Sequence, residues 1–150
     1  MNKNPVPQGK YKPAIRYGNT VYTAGMTSRK DGKLLVSGKV SAQEPTEIYR
    51  VAVEQAAANA LTAAQNTLTE GEKIAQILTL TVYINAESDY QTHAKIGDLA
   101  SEYLCSVLGE AGIGARAAIG VATLPGNAPV EIQLVAAIEK YSYVWLGAYL

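Results

Sequence analysis

The 150-residue chain has little of what metal and disulfide chemistry needs: one cysteine, Cys105, and one histidine, His93. A lone thiol excludes an intrachain disulfide and a cysteine-cluster metal site. A lone imidazole argues against a typical zinc site. Net charge is missing too. Thirteen Lys/Arg balance thirteen Asp/Glu, which removes the overall electrostatic case for a nucleic-acid partner. No uninterrupted apolar run reaches the ~18 residues of a bilayer span. The opening Met1-Asn2-Lys3-Asn4-Pro5 lacks the apolar core of a signal peptide. A cytosolic protein with no membrane partner is therefore the expectation.

What is present describes a globular protein. Hydrophobic residues make up 48% and charged residues 17% of the chain, and its length suits one domain over residues 1–150 with a substantial core. Residues 1–9, with Pro5, Pro7 and Gly9, read as an extended, poorly ordered lead-in. Residues 1–50 hold nine of the thirteen Lys/Arg against Asp31, Glu44 and Glu47. Without interleaved aromatics or a nucleic-acid motif, that excess reads as solvated charge on loops and hairpin edges.

Along the chain, residues 15–17 and 20–24 form two short strands around Gly18-Asn19, and residues 33–36 add a third after the Asp31-Gly32 turn. Residues 41–47 start a helix with Pro45 in its first turn. Val53, Ala57, Ala60, Leu61, Ala64 and Leu68 then recur at helical spacing, with Glu54, Asn59 and Gln65 off that stripe. Residues 74–84, with Thr79, Thr81 and Tyr83 alternating, predict a central strand. A second helix over residues 90–108, capped by Ser88 or Asp89, turns Ile96, Leu99, Ala100, Tyr103, Leu104 and Val107 inward. Within it Cys105 has no basic neighbour to activate it, and His93 reads as a solvated surface residue. The glycines of 109–114 follow a helix and enter a strand, so they end the helix and do not cradle phosphate. The order predicts an α+β fold, a mixed sheet covered on one face by two helices.

Residues 114–134 carry the functional lead. Two runs of small and β-branched residues flank Leu124-Pro125-Gly126-Asn127, which reads as a hairpin. Besides Thr123 and Gln133, its strongly polar side chains are Arg116 and Glu131. A guanidinium and a carboxylate in apolar strands are costly unless each meets a partner or a ligand.

Arg116, Leu124-Pro125 and Glu131, with Val130 and Ile132 beside the Glu, resemble the C-terminal signature of the Rid (YjgF-type) family of reactive enamine/imine deaminases. Lys10-Tyr11-Lys12-Pro13-Ala14, Gly18-Asn19 and Thr23-Ala24-Gly25 are similar to its opening strands. The resemblance covers roughly residues 8–140. It implies a chorismate-mutase-like fold, a homotrimer with sites between subunits, and hydrolysis of short-lived 2-enamino or 2-imino acids to a 2-keto acid and ammonia, a reaction for which no metal and no cofactor are expected. Position by position, it implies that Arg116 anchors the substrate carboxylate and Glu131 orients water. It makes Tyr11 a cleft wall and gives Gly25 and Ala118 backbone contacts.

The departures place the chain in a divergent, longer branch. Lys10-Tyr11-Lys12-Pro13 stands where the deaminases usually have Gly-Pro-Tyr, Gly114-Ala115 where they often have Pro-Ala, and Ala94 beside Lys95 where an Asn aligns. Two other readings stay open: a non-catalytic binder of small carboxylates or 2-keto acids using the same pocket, and, more weakly, an endoribonuclease. A purely structural alternative makes Arg116 and Glu131 an ion pair across a subunit interface. Residues 141–150, with Tyr141, Tyr143 and Trp145 alternating, read as an aromatic extension outside the resemblance that packs on its own domain or on a neighbouring subunit.

Overall fold

A computed structural model describes residues 2–142. The chain opens with β1 (Ala14–Tyr17) and β2 (Thr20–Thr23), continues through the short ribbon β3 (Arg29–Lys30) and β4 (Lys33–Leu34), and enters α1 (Arg50–Gln65). It then forms β5 (Glu72–Asn85), α2 (His93–Leu108), β6 (Ala115–Val121) and β7 (Val130–Lys140). Five strands make one mixed sheet in the order β1-β2-β7-β5-β6, with β5 parallel to β6 and antiparallel to β7. The expected α+β class is observed, with β5 as an interior strand.

The helix-covered face holds the core. Along β7 the buried residues Val130, Ile132, Leu134, Ala136 and Ile138 alternate with half-buried Glu131, Gln133, Val135 and Ala137, the period-two pattern of a strand with two unlike faces. On α1 the small residues Ala52, Ala56, Ala57, Ala60, Ala63 and Ala64 are buried with Val53 and Leu61, so the helix lies close to the sheet. The largest fully buried side chains include Ile77, Ile84, Ile96, Leu104, Ile132 and Leu134, each worth about 1.5–3 kcal/mol of burial. The opposite face carries exposed Ile15, Tyr17, Tyr22 and Ile119.

Several expectations change. Strands β6 and β7 form no hairpin, because β5 lies between them. Residues 122–129 carry the chain across the end of β5, two strand spacings or about 10 Å. Buried Asn85 at that end pins the crossing: its Nδ2 donates to Asn127 Oδ1 at 2.9 Å and to the Ala128 carbonyl at 3.0 Å. Lys39 Nζ donates to Asn85 Oδ1 at 2.8 Å and to the Ala122 carbonyl at 2.7 Å, tying the same node to a third segment. The first helix begins only at Arg50, after a 3-10 turn at Thr46–Tyr49 that follows extended Pro45, and α2 begins at His93 with Thr92 before it. The third strand is only Lys33–Leu34, in its own ribbon with β3.

Some side chains also differ from their expected places. Val107 is exposed rather than inward. Asn59 is buried, with Nδ2 donating to the Thr27 and Arg29 carbonyls at 2.9 and 2.8 Å. Far from standing free, the lead-in is held where Asn66 Nδ2 donates to the Asn2 carbonyl and to Asn4 Oδ1 at 2.9 and 2.8 Å. Tyr141 donates its N–H to the Gly71 carbonyl at 2.8 Å, and the Lys73 ammonium lies 5.4 Å from its ring centre. Tyr143 and Trp145 lie outside the described residues.

A bidentate pair fastens the edge strand β1. Arg16 Nη1 and Nη2 donate to the two oxygens of Glu72, each at 2.6 Å, and Thr69 adds its N–H and Oγ1 at 2.7 and 2.6 Å. The Arg16 hydrogen bonds, then those from Thr69, hold the Glu72 carboxyl well below the usual carboxylate range. A depressed carboxyl stabilises the fold above its unfolded value of about 4.3, and that contribution fades as pH falls below it. Thermal melts of wild type and Glu72→Gln should therefore differ most near pH 7, with wild type higher, and the gap should begin to narrow as pH falls from about 4.3 toward 3. An unchanged gap across that range would contradict the role given to this pair.

Candidate functional site

The alternation of β6 and β7 decides where the two strand-borne charges go. Arg116 sits opposite Leu80 on β5, and Glu131 opposite Tyr83. Leu80, Val82 and Ile84 are buried under the helices, so Arg116, Ala118 and Gly120 share the helix-covered face. Glu131 points the other way, with Gln133 and Tyr83, whose hydroxyl donates to Gln133 Oε1 at 2.6 Å. Within one chain the sheet separates Arg116 from Glu131. They also stand two strand spacings apart and three residues along β5, each about 10 Å.

Glu131 lines a cavity of about 430 Å³ with Tyr11, Gly25, Met26, Asn59 and Pro125. Three of the five residues singled out from the sequence thus meet: Tyr11, Gly25 and Glu131. Gly25 gives the Glu131 carboxylate its place, since a Cβ there would stand 2.5 Å from Oε2 and the side chain would have to move. Tyr11 turns its hydroxyl to accept the Gln8 N–H at 3.0 Å, which holds the lead-in along the cavity wall. Neither Glu131 oxygen has a hydrogen bond among the described residues, and burial pushes its carboxyl above the usual range. A partly desolvated carboxyl facing a cavity takes up a proton more readily than an exposed one, which suits it to proton transfer. Arg29 and Asn59, which nothing in the sequence marks as site residues, also line this cavity. Asn59 was hidden by its place off the apolar stripe of α1, and Arg29 by its place in a basic-rich stretch.

Arg116 and Ala118 face α2. Arg116 Nη1 donates to Asp98 Oδ1 at 2.9 Å and to Ser101 Oγ at 3.0 Å, and Nη2 reaches the Ala94 carbonyl at 3.4 Å. Gly97 makes room for the guanidinium, because a Cβ there would lie 2.8 Å from Nε and 2.9 Å from Cζ. The same missing Cβ would meet Ala118 Cβ at 3.2 Å. The carboxylate partner of Arg116 in this chain is therefore Asp98, not Glu131. His93 is half-buried against Tyr90 (ring centres 5.2 Å apart) rather than solvated. Cys105 is half-buried on α2. Among the described residues no three His, Cys, Asp or Glu side chains converge as a metal site, and no helix is long and apolar enough to cross a membrane.

Comparison with known proteins matches this arrangement to a family. The family described as endoribonuclease L-PSP matches residues 1–138. A 2-iminobutanoate/2-iminopropanoate deaminase from Dermatophagoides farinae is 29% identical over 138 residues, covering 90% of this chain and 91% of that protein. The crystal structure of Atu1372 from Agrobacterium tumefaciens, a protein of unknown function, is 31% identical with a TM-score of 0.78, covering 89% of this chain and 86% of that one. The YjgF gene product of E. coli shares the fold, with a TM-score of 0.61 at 22% identity over 89% of this chain and 92% of its own. The chain belongs to the endoribonuclease L-PSP family, the Rid or YjgF-type proteins.

Proposed function

We propose that this protein hydrolyses reactive 2-imino or 2-enamino acids, and that each site is built from two copies of the chain. The observation that supports this best is the opposite-face placement. Glu131 looks into a cavity on one side of the sheet, and Arg116 lies on the other side, on the sheet-edge strand β6. If the two act on one ligand, the cavity of one subunit meets the β6–α2 edge of the next, a head-to-tail contact that closes into a ring. The exposed Ile15, Tyr17, Tyr22 and Ile119 on the cavity side of the sheet give such a contact apolar area to bury. Family resemblance supplies the number three. The deaminase relative supports the reaction class.

In this reading Arg116 binds the substrate carboxylate through its guanidinium, whose Nη1 side Asp98 and Ser101 hold in place. Water in the Glu131 cavity bonds through oxygen to the imine carbon while the C=N π electrons move to nitrogen. Glu131 takes a proton from the water and returns it to the nitrogen. A second proton then passes through Glu131 from the new hydroxyl to the amino nitrogen, the C–N bond breaks as the carbonyl forms, and ammonia leaves with a 2-keto acid. The raised Glu131 carboxyl suits both proton steps. Tyr11 and Gly25 shape the cavity around that carboxylate, and Ala118 leaves room and backbone beside Arg116. A binder without turnover would use the same pocket. An endoribonuclease has less support, since no imidazole was found in the Glu131 cavity.

Arg116→Ala should lose about 30- to 1000-fold in 2-keto acid affinity and in turnover of imine generated in situ, as expected for about 2–4 kcal/mol of charge-assisted binding. Arg116→Lys should recover little of it. Glu131→Gln should bind 2-keto acid yet lose about 100-fold or more of turnover. Turnover in every variant equal to buffer, with Arg116-dependent binding retained, would establish the binder instead. Because the Glu131 carboxyl is raised, the acid limb of kcat/KM should lie above the ordinary Glu range of about 4.3. A limb at or below that value would remove Glu131 as the base. Light scattering at micromolar concentration should give a trimer mass, and a monomer would rule out the shared site.

A further inference from the structure

Arg116 is not free to grip a carboxylate with its whole fork. Nη1 is committed to Asp98 Oδ1 at 2.9 Å and to Ser101 Oγ at 3.0 Å, while Nη2 makes only a 3.4 Å contact with the Ala94 carbonyl. Nη2 therefore keeps donor capacity for a ligand oxygen. Asp98 is the more open partner, its side chain 61% exposed against 24% for Arg116. Among the described residues its Oδ2 has no partner. A positive and a negative group thus stand side by side, each with unused hydrogen-bonding capacity. The groove along this side of α2, about 530 Å³, is lined by Asp98, Ser101, Glu102, Cys105, Ser106 and Ile113, with the Glu102 carboxylate already paired to Arg50 at 3.1 Å. Gly97, lacking a Cβ, leaves the space in which the guanidinium lies close against α2.

We propose that Asp98 and Arg116 act as a dipolar recognition pair that selects zwitterionic ligands, 2-amino acids and protonated 2-imino acids, over 2-keto acids. This rests on the reading that Arg116 holds the ligand carboxylate. A free 2-keto acid brings one negative charge to a guanidinium that Asp98 already neutralises. A protonated imino acid brings a carboxylate to Nη2 and an N–H donor with positive charge to Oδ2, so it matches both members. Asp98 is then a specificity-determining residue that favours the protonated, more electrophilic imine. Hydrolysis of that ion takes one water and gives 2-keto acid and ammonium, with charge and atoms balanced. The product has lost the group that Asp98 recognises, which favours its release.

The test is calorimetric titration of the intact protein with L-alanine and with pyruvate, matched in size and differing in the charge beside the carboxylate. Exposed charge pairs are worth up to about 1 kcal/mol, or about fivefold in affinity. Asp98→Asn, which keeps the shape, should weaken alanine binding and tighten pyruvate binding, each by about two- to fivefold. Ser101→Ala, which removes the other Nη1 partner without changing charge, should move both ligands in the same direction. If Asp98→Asn moves both ligands together, Asp98 only positions Arg116 and the proposal falls. It falls equally if pyruvate binding depends on Arg116 while Asp98→Asn changes neither affinity, and the shared pocket then stands. Pyruvate and alanine binding that Arg116→Ala leaves unchanged would remove the pocket reading as well.

Discussion

A strand sends successive side chains to opposite faces, and in this protein that alternation governs everything built around the candidate site. β5 fixes the register of both neighbours, so Arg116 falls beside buried Leu80 and Glu131 beside Tyr83 on the other face. A one-residue slip of β6 would turn Arg116 away from α2 and bring Ala115 or Ala117 to the helix-covered face in its place. The two charges can be costly in the strands because each has a local answer. Arg116 has Asp98, Ser101 and the space left by Gly97. Glu131 has a cavity in place of a partner, which leaves its carboxyl raised and available.

The end of β5 is where these pieces are locked together. Asn85 is fully buried and bonds to Asn127, Ala128 and Lys39, so the crossing of residues 122–129, the Lys39 segment and the start of β7 share one polar node. A buried amide of this kind is expensive unless satisfied, and it specifies one arrangement when it is. Pro125 from this crossing also walls the Glu131 cavity. The path that separates β6 from β7 thereby helps to shape the space that Glu131 faces.

Much of this was legible in the residues. The alanine stripe of α1, the interior strand β5 and the polarity of Arg116 and Glu131 follow from periodicity and from the cost of burying charge. What misled was local chemistry with two outcomes. Leu124-Pro125-Gly126-Asn127 is good turn sequence, and short turns usually close hairpins. Here the α2 crossover places β6 on the far side of β5, a long-range fact that no short window contains. Asn59 and Asp98 escaped notice for a related reason. Each sits on a helix at a position where polarity reads as solvent exposure, and only the tertiary approach of residues 27–29 or of Arg116 gives it a partner.

The central claim is that Arg116 of one subunit and Glu131 of another serve one ligand. Mixing chains that each lack one of the two groups tests it directly. Arg116→Ala and Glu131→Gln proteins, each inactive alone, are unfolded together, refolded at equal amounts and assayed for ammonia release from imine generated in situ. With a shared site, random assortment around a ring restores both groups at about one interface in four, so the mixture should recover about a quarter of wild-type activity. A mixture no more active than its two components, despite confirmed hybrid oligomers, would contradict a site built between subunits.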